Sequence, residues 1–343
     1  MTWTGPGFVD HHAHLLHEAS LQGSGWGGTA AIRALHHACA ERGDTPVDAI
    51  EQPECDDLPA ALRAALHRAA AAGLVEIWEA GTRHPAYWTA LRALRDEGPL
   101  PLRVRILVAA GLAERGMPER LGDAWLDVVG VKFYADGWLG PRTCALSAEF
   151  RDEPGNAGLL FEPPDHLARR IEPFAHAGWT IATHAIGDRA IESVLDAYER
   201  VYGDGCAAAS PRIEHAQLLQ PDLVARMAAL GVVACIQPGF AIDDAEDARA
   251  GLGDAWPFAY RWSALLDAGV RVVTGSDYPI DDLEPLRGLA KLMSNPFDSL
   301  SRTDALRLMT RSDAGTMTLS VDPADVAVGS PSDIQVLATN PSG

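Results

Sequence analysis

Six side chains able to bind a metal or move a proton fall at, or just past, short apolar runs: His12, His14, Lys132, His184, His215 and Asp277. Imidazole, carboxylate and water are the donor set of zinc and other borderline first-row divalent metals. His12 and His14 lie two apart, and alternate residues of a strand share a face, so both imidazoles can chelate one ion. His11 then points away from its neighbours. A lone His is more often packed or solvated than a ligand, and His17, His36, His37, His67, His84, His166 and His176 are read that way. The signal lies in the set. The 5 cysteines, Cys39, Cys55, Cys144, Cys206 and Cys235, contain no C-x-x-C pair. That argues against an iron–sulfur or four-cysteine zinc site and against a disulfide framework, and it points to a reducing, cytoplasmic compartment.

Residues so far apart need a fold that gathers them. Strand-like runs sit near Gly7 to Asp10, Leu74 to Trp78, Arg103 to Ala109, Val128 to Tyr134, Trp179 to Thr183, Pro211 to Ile213, Val232 to Ile236 and Val270 to Thr274. Between them lie Ala/Leu/Arg/Glu-rich segments with helical spacing, beginning near Leu58, Ala86, Asp165, Asp188 and Ala259, several of which close on Gly. Eight such alternations predict a (β/α)8 barrel, whose C-terminal rim collects the ends of all its strands around one point. No G-x-G-x-x-G follows the first run, which weakens an open, dinucleotide-binding sheet. Ser20 to Pro59 reads as a long loop region over one barrel face. After about Thr316 the pattern becomes short strands joined by Gly, Pro and Ser turns, so the expected division is a barrel over 1–315 and a β-rich extension over 316–343.

Composition narrows the partners. With 343 residues, 47% of them hydrophobic and 22% charged, the chain is long enough for one large core and is not disordered or fibrous. A net charge of -19 repels phosphate backbones and anionic lipid, so a small molecule is the expected partner rather than nucleic acid or a membrane. No run of 18 apolar residues and no signal-peptide pattern is present.

The segments GFVDHHAH (7–14), VKFYADGWLGPRTCALS (131–147), THAIGDRAIESVLDAYE (183–199), RIEHAQ (212–217) and TGSDYPI (274–280) together resemble the amidohydrolase superfamily, most closely its family 3, or YtcJ-like, branch. The resemblance implies a metal-dependent hydrolase of a non-peptide C–N bond, an amide, cyclic amide or amidine, with deamination as the nearest variant. It implies that His12 and His14 hold one divalent ion, zinc being the expected metal, that His184 and His215 hold a second where two bind, and that Asp277 is the eighth-strand carboxylate. Lys132 matches the lysine that is carboxylated in binuclear members: an ammonium cannot ligate a cation, whereas a carbamate offers two anionic oxygens. The implied chemistry is attack by metal-activated hydroxide, with Asp277 accepting its proton and delivering it to the leaving nitrogen. The same residues leave room for a metal-dependent lyase or isomerase, or for an inactive ligand-binding relative.

Other positions carry weaker signals. Asp136 and Glu214 are candidates for orienting ligands or loop amides, and Tyr134, Trp138 and Tyr278 for an aromatic wall. Arg142 and Arg189 are read as pairing with surplus acid rather than holding a substrate carboxylate. At Trp78, beside Glu79, many relatives have His. Relatives also begin with strands that pair with C-terminal strands in a small sandwich; this chain reaches its H-x-H at His12, so its tail is expected to lack that N-terminal half. Its uncovered edges would then invite a homodimer. The roughly 60 residues between His14 and Leu74 are fewer than relatives carry there, which implies a different substrate size or a more open cleft.

Overall fold

Each of the eight apolar runs forms a strand, because β-branched residues flanked by Gly and helix caps fit a sheet buried on both faces. The structure is a computed structural model that describes residues 3–15, 28–42, 55, 57–310, 318–321 and 335–337. The strands are β2 (Phe8–Ala13), β3 (Leu74–Thr82), β4 (Arg103–Ala109), β5 (Leu126–Tyr134), β6 (Thr180–Ala185), β7 (Arg212–His215), β8 (Val233–Ile236) and β9 (Arg271–Thr274). They run parallel in the order β2 to β9, each hydrogen-bonded to the next in sequence. The seam between β9 and β2 is joined at the rim, where Asp277 N donates to His12 O at 2.7 Å and His14 N to Tyr278 O at 2.7 Å. Gly275 makes this approach possible, since a Cβ there would lie 2.5 Å from His12 N. The architecture is a (β/α)8 barrel.

Helices cover the outside of the barrel with apolar stripes at helical spacing. The helix Asp188–Tyr202 buries Ala190, Ile191, Val194, Leu195, Ala197 and Tyr198. Its Tyr198 hydroxyl donates to Arg212 O at 2.7 Å and also contacts Thr183 Oγ1 at 2.8 Å, which pins the helix to the two strands that carry His184 and His215. The helices Leu58–Ala71, Pro85–Glu97 and Pro164–His176 also lie where helical spacing predicts them. The one expected from Ala259 starts only at Trp262, because Tyr260 is buried with φ 53° in the left-handed region and cannot continue a helix. The helix Gly28–Arg42 lies within the long β2–β3 connection.

A second, three-stranded sheet corrects one expectation. Trp3–Pro6 forms β1, which pairs antiparallel with β10 (Thr318–Val321), and β10 pairs antiparallel with β11 (Gln335–Leu337). The tail therefore does have an N-terminal strand beside it. WTGP is four residues with a Gly and a Pro, so only its pairing partner reveals it as a strand. The expected boundary at 315/316 falls outside the described residues, as does His17. Among the described residues no helix is long and apolar enough to cross a membrane.

Candidate active site

The register of the barrel brings the six residues to one mouth. Lys132 on β5 is level with Ala182, Tyr134 with His184, and Ala185 with His215. Asp277 lies just past β9, bonded across the seam to β2. Its φ is 57°, and His215 and Ala216 at the end of β7 have φ of 75° and 45°. Such left-handed non-glycine backbone costs about 1–3 kcal/mol per residue, and here it is concentrated where side chains are turned into the mouth.

Asp277 Oδ1 is the point of convergence. It lies 3.3 Å from His12 Nε2 and 3.1 Å from His14 Nε2. One ligand atom from each of these three residues falls within 4.8 Å of the others. Lys132 Nζ is 3.5 Å from His12 Nε2. The His215 ring is 4.9 Å from that of His12 and 4.5 Å from that of His184, centroid to centroid. All six thus form one connected cluster, although His184 and His215 lie beyond the tight triplet. Two imidazole nitrogens facing one carboxylate oxygen in a buried site is a donor set that fits a small divalent cation.

Three of the four imidazoles, His12, His184 and His215, are fixed from behind, each by a partner that takes one ring nitrogen and leaves the other. His12 Nδ1 is 2.5 Å from Glu214 Oε2, and His215 Nδ1 is 2.8 Å from Gln237 Oε1. His184 Nε2 lies 3.0 Å from Gly137 O and 3.3 Å from Asp136 Oδ1, so Nδ1 is the nitrogen it has left for another partner. Asp136 accepts from the backbone N–H groups of Ala145, Ile186 and Gly187 at 2.9–3.0 Å, and so holds the loops around His184.

Burial and charge tune these groups in opposite directions. Burial tends to raise Asp277, but the imidazoles of His12 and His14 hold its carboxyl well below the usual carboxylate range. Glu214 is likewise held low against burial, by the Arg212 guanidinium and His12. Burial pushes His14 down to about 4 and His215 well below its ordinary value, which keeps both imidazoles neutral and able to ligate. In His12 burial and Lys132 act downward, but the carboxylates of Asp277 and Glu214 outweigh them and the net shift is upward. Lys132 is fully buried, and burial brings its amine down to about 8. It makes no ion pair among the described residues; its Nζ faces His12 and, at 4.7 Å, the Tyr134 ring.

The remaining candidates divide cleanly. Arg142 is committed to Asp152 at 2.7 Å and Asp247 at 2.8 Å, and Arg189 to the Ala157 and Gly158 carbonyls. His36 is a packed histidine, with Nδ1 2.7 Å from Thr143 Oγ1. His11 turns away, toward Trp78, and Glu79 lies 3.9 Å from His14 Nδ1. Two positions escape a reading of the sequence alone. Asp10 accepts from His12 N, Ser276 N and Ser276 Oγ, tying β2 to the loop that carries Asp277. Its place two residues before His12, on the same face of the strand, is the signal that could have found it. Gln237 directly follows β8, as a rim residue should.

A family model described as the amidohydrolase family matches residues 46–342. The protein LONG AFTER FAR-RED 3 of Arabidopsis thaliana is 33% identical over 229 residues, 63% of this chain and 39% of that protein. The putative amidohydrolase YtcJ of Bacillus subtilis (strain 168) is 30% identical over 258 residues, 71% of this chain and 48% of that protein. The chain thus spans less than half the length of either relative. Among solved structures, an uncharacterized metal-dependent hydrolase from Pyrococcus furiosus superposes with a TM-score of 0.72 at 22% identity, covering 90% of this chain and 81% of that one. At that identity the likeness speaks for the fold.

Proposed function

The chain belongs to the amidohydrolase family, and from that premise we propose that it is a metal-dependent hydrolase of a non-peptide C–N bond in a small molecule, an amide, cyclic amide or amidine. The observation that carries this reading is the meeting of His12, His14 and Asp277 within 4.8 Å at the barrel's C-terminal mouth, with Lys132, His184 and His215 adjoining. These six would hold one or two divalent ions, zinc being the best match to an imidazole and carboxylate set. A divalent ion bound there supplies Lewis-acid polarisation of the substrate carbonyl and a water of lowered pKa.

The chain's own residues do the rest. Asp277, ionised at neutral pH, is the general base that takes a proton from the attacking water and then, as general acid, passes it to the leaving nitrogen. Glu214 and Gln237 keep His12 and His215 presenting Nε2, so the ligand nitrogens need no reorientation. Lys132 acts as its carbamate: with its pKa near 8 the amine is neutral often enough for Nζ to add to carbon dioxide, lose one proton and gain two anionic oxygens. A buried lysine without an ion pair among the described residues supports that role better than a structural one.

Chelation followed by metal analysis tests the proposal. Activity on N-acyl amines should disappear with the divalent ion and return when zinc is restored, and water labelled with oxygen-18 should place its label in the acid product. Full turnover by folded, metal-free protein would overturn the reading, and unlabelled product would move it to a lyase or isomerase.

A further inference from the structure

Above the six residues opens a cavity of about 300 Å³ whose floor is His184, His215 and Asp277. Trp138, Leu139, Ile186 and Phe240 form apolar walls, and the Phe240 ring lies nearly parallel to that of His215, at an interplanar angle of 8°. The remaining polar contributions to the wall are Gln217, Asp243 and Asp244, and among the described residues no Lys or Arg lines it. Neither arginine that the sequence offers for a substrate carboxylate lines it: Arg142 pairs with Asp152 and Asp247, and Arg189 Nη2 donates to the Ala157 and Gly158 carbonyls.

Gln217 supplies an observation independent of charge. It is 4% exposed, and its Oε1 is buried without a hydrogen-bond partner. A buried carbonyl oxygen left in that state costs about 1–3 kcal/mol, so it marks a place where a donor is wanted. Asp244 is linked to it through Tyr260. Tyr260 N donates to Gln217 O at 2.7 Å, and its hydroxyl donates to Asp244 Oδ2 at 2.7 Å. The Asp244 carboxylate and the backbone that carries Gln217 are therefore held in place before any ligand arrives.

Resting on the hydrolase reading, we propose that this cavity selects substrates whose end remote from the scissile bond is a cationic N–H donor, such as a primary ammonium on an apolar spacer, and rejects the matching carboxylate. Asp244 and Asp243 supply the attraction and Gln217 the neutral acceptor. Trp138 and Phe240 hold the spacer, and excess acid at the mouth repels anions.

A matched set of three linear hydroxamates tests this on the zinc-loaded full chain by calorimetry: one with a terminal methyl, one with a terminal ammonium and one with a terminal carboxylate. The ammonium compound should bind about tenfold or more tighter than the carboxylate compound at pH 7.5. Asp244→Asn and Gln217→Leu should each shrink that ratio, and the methyl compound reports whether each variant still folds and binds. A ratio near one, or one favouring carboxylate, overturns the proposal while leaving the hydrolase reading intact. Failure of all three to bind zinc-loaded protein would overturn both. The wild-type ratio alone is decisive should a variant fail to fold.

Discussion

The two ends of the barrel lumen are both buried and both polar, yet they are built on opposite principles. At the end where the strands begin, charges are matched. Arg103 Nε lies 3.0 Å from Glu76 Oε2, Arg212 Nε 2.8 Å from Glu214 Oε1, and Trp78 Nε1 donates to Glu76 at 2.9 Å. Arg212 also donates to His11 O and sits 4.6 Å from the centre of the Trp78 ring. At the end where the strands finish, the imidazoles of His12 and His14 share one oxygen of Asp277 instead of a guanidinium facing a carboxylate, and Lys132 has no ion pair at all among the described residues. Glu214 stands between the two, one side facing Arg212 and the other His12. One mouth has satisfied its own charges, as a stabilising end does; the other presents the atoms that the proposed hydrolase reading assigns to metal and substrate.

The largest effects should separate the two ends. Asp277→Asn should lower kcat by about 10²- to 10⁴-fold in protein that still folds, read from steady-state kinetics beside thermal unfolding. Arg103→Met, at the opposite mouth, should do the reverse. It leaves the buried Glu76 carboxylate without its guanidinium, costing about 3–5 kcal/mol in denaturant unfolding, while kcat for the residual folded protein stays within a few-fold. If Arg103→Met removed turnover at unchanged stability, the division between the ends would be lost.

Gln237→Leu gives a smaller effect. It frees the His215 ring to turn without removing a ligand, so zinc affinity should weaken by about 10- to 100-fold, measured by competition with a chromophoric chelator. Smaller again is a pH effect at the cavity wall. Burial raises Asp244 to about 6, so the folded state binds this proton more tightly than the unfolded state does, and keeping the group ionised costs stability above pH 6. Asp244→Asn should therefore stabilise the protein by about 1–2 kcal/mol at pH 8 and have almost no effect near pH 4, where the wild-type carboxyl is already protonated. A variant destabilised equally at both pH values would show that Asp244 serves the fold rather than the cavity.

The barrel was legible because parallel strands buried on both faces are written as β-branched runs, and because Gly follows many of the helices. His12, His14, Lys132, His184, His215 and Asp277 were legible for a related reason: position at a strand's C-terminal end predicts convergence before any distance is known. The partners that fix them were harder to see. Asp10 meets Ser276 only when the barrel closes, across a separation of 266 residues, and no local pattern records that contact. Glu214 stood next to His215 in sequence and could be suspected, but its bond to His12, 202 residues away, again needs the closed barrel. Strand β1 escaped because pairing rather than propensity makes it a strand, and the helix expected at Ala259 was shortened because tertiary packing holds Tyr260 outside helical backbone.

The most direct test is elemental analysis of the full chain after zinc loading and removal of free metal, beside the triple variant His12→Ala, His14→Ala, Asp277→Asn. Wild type should retain zinc through gel filtration, and the variant should fold, as circular dichroism reads, yet carry none. A folded wild type that takes up no divalent ion, or a variant that holds as much zinc as wild type, would contradict the account.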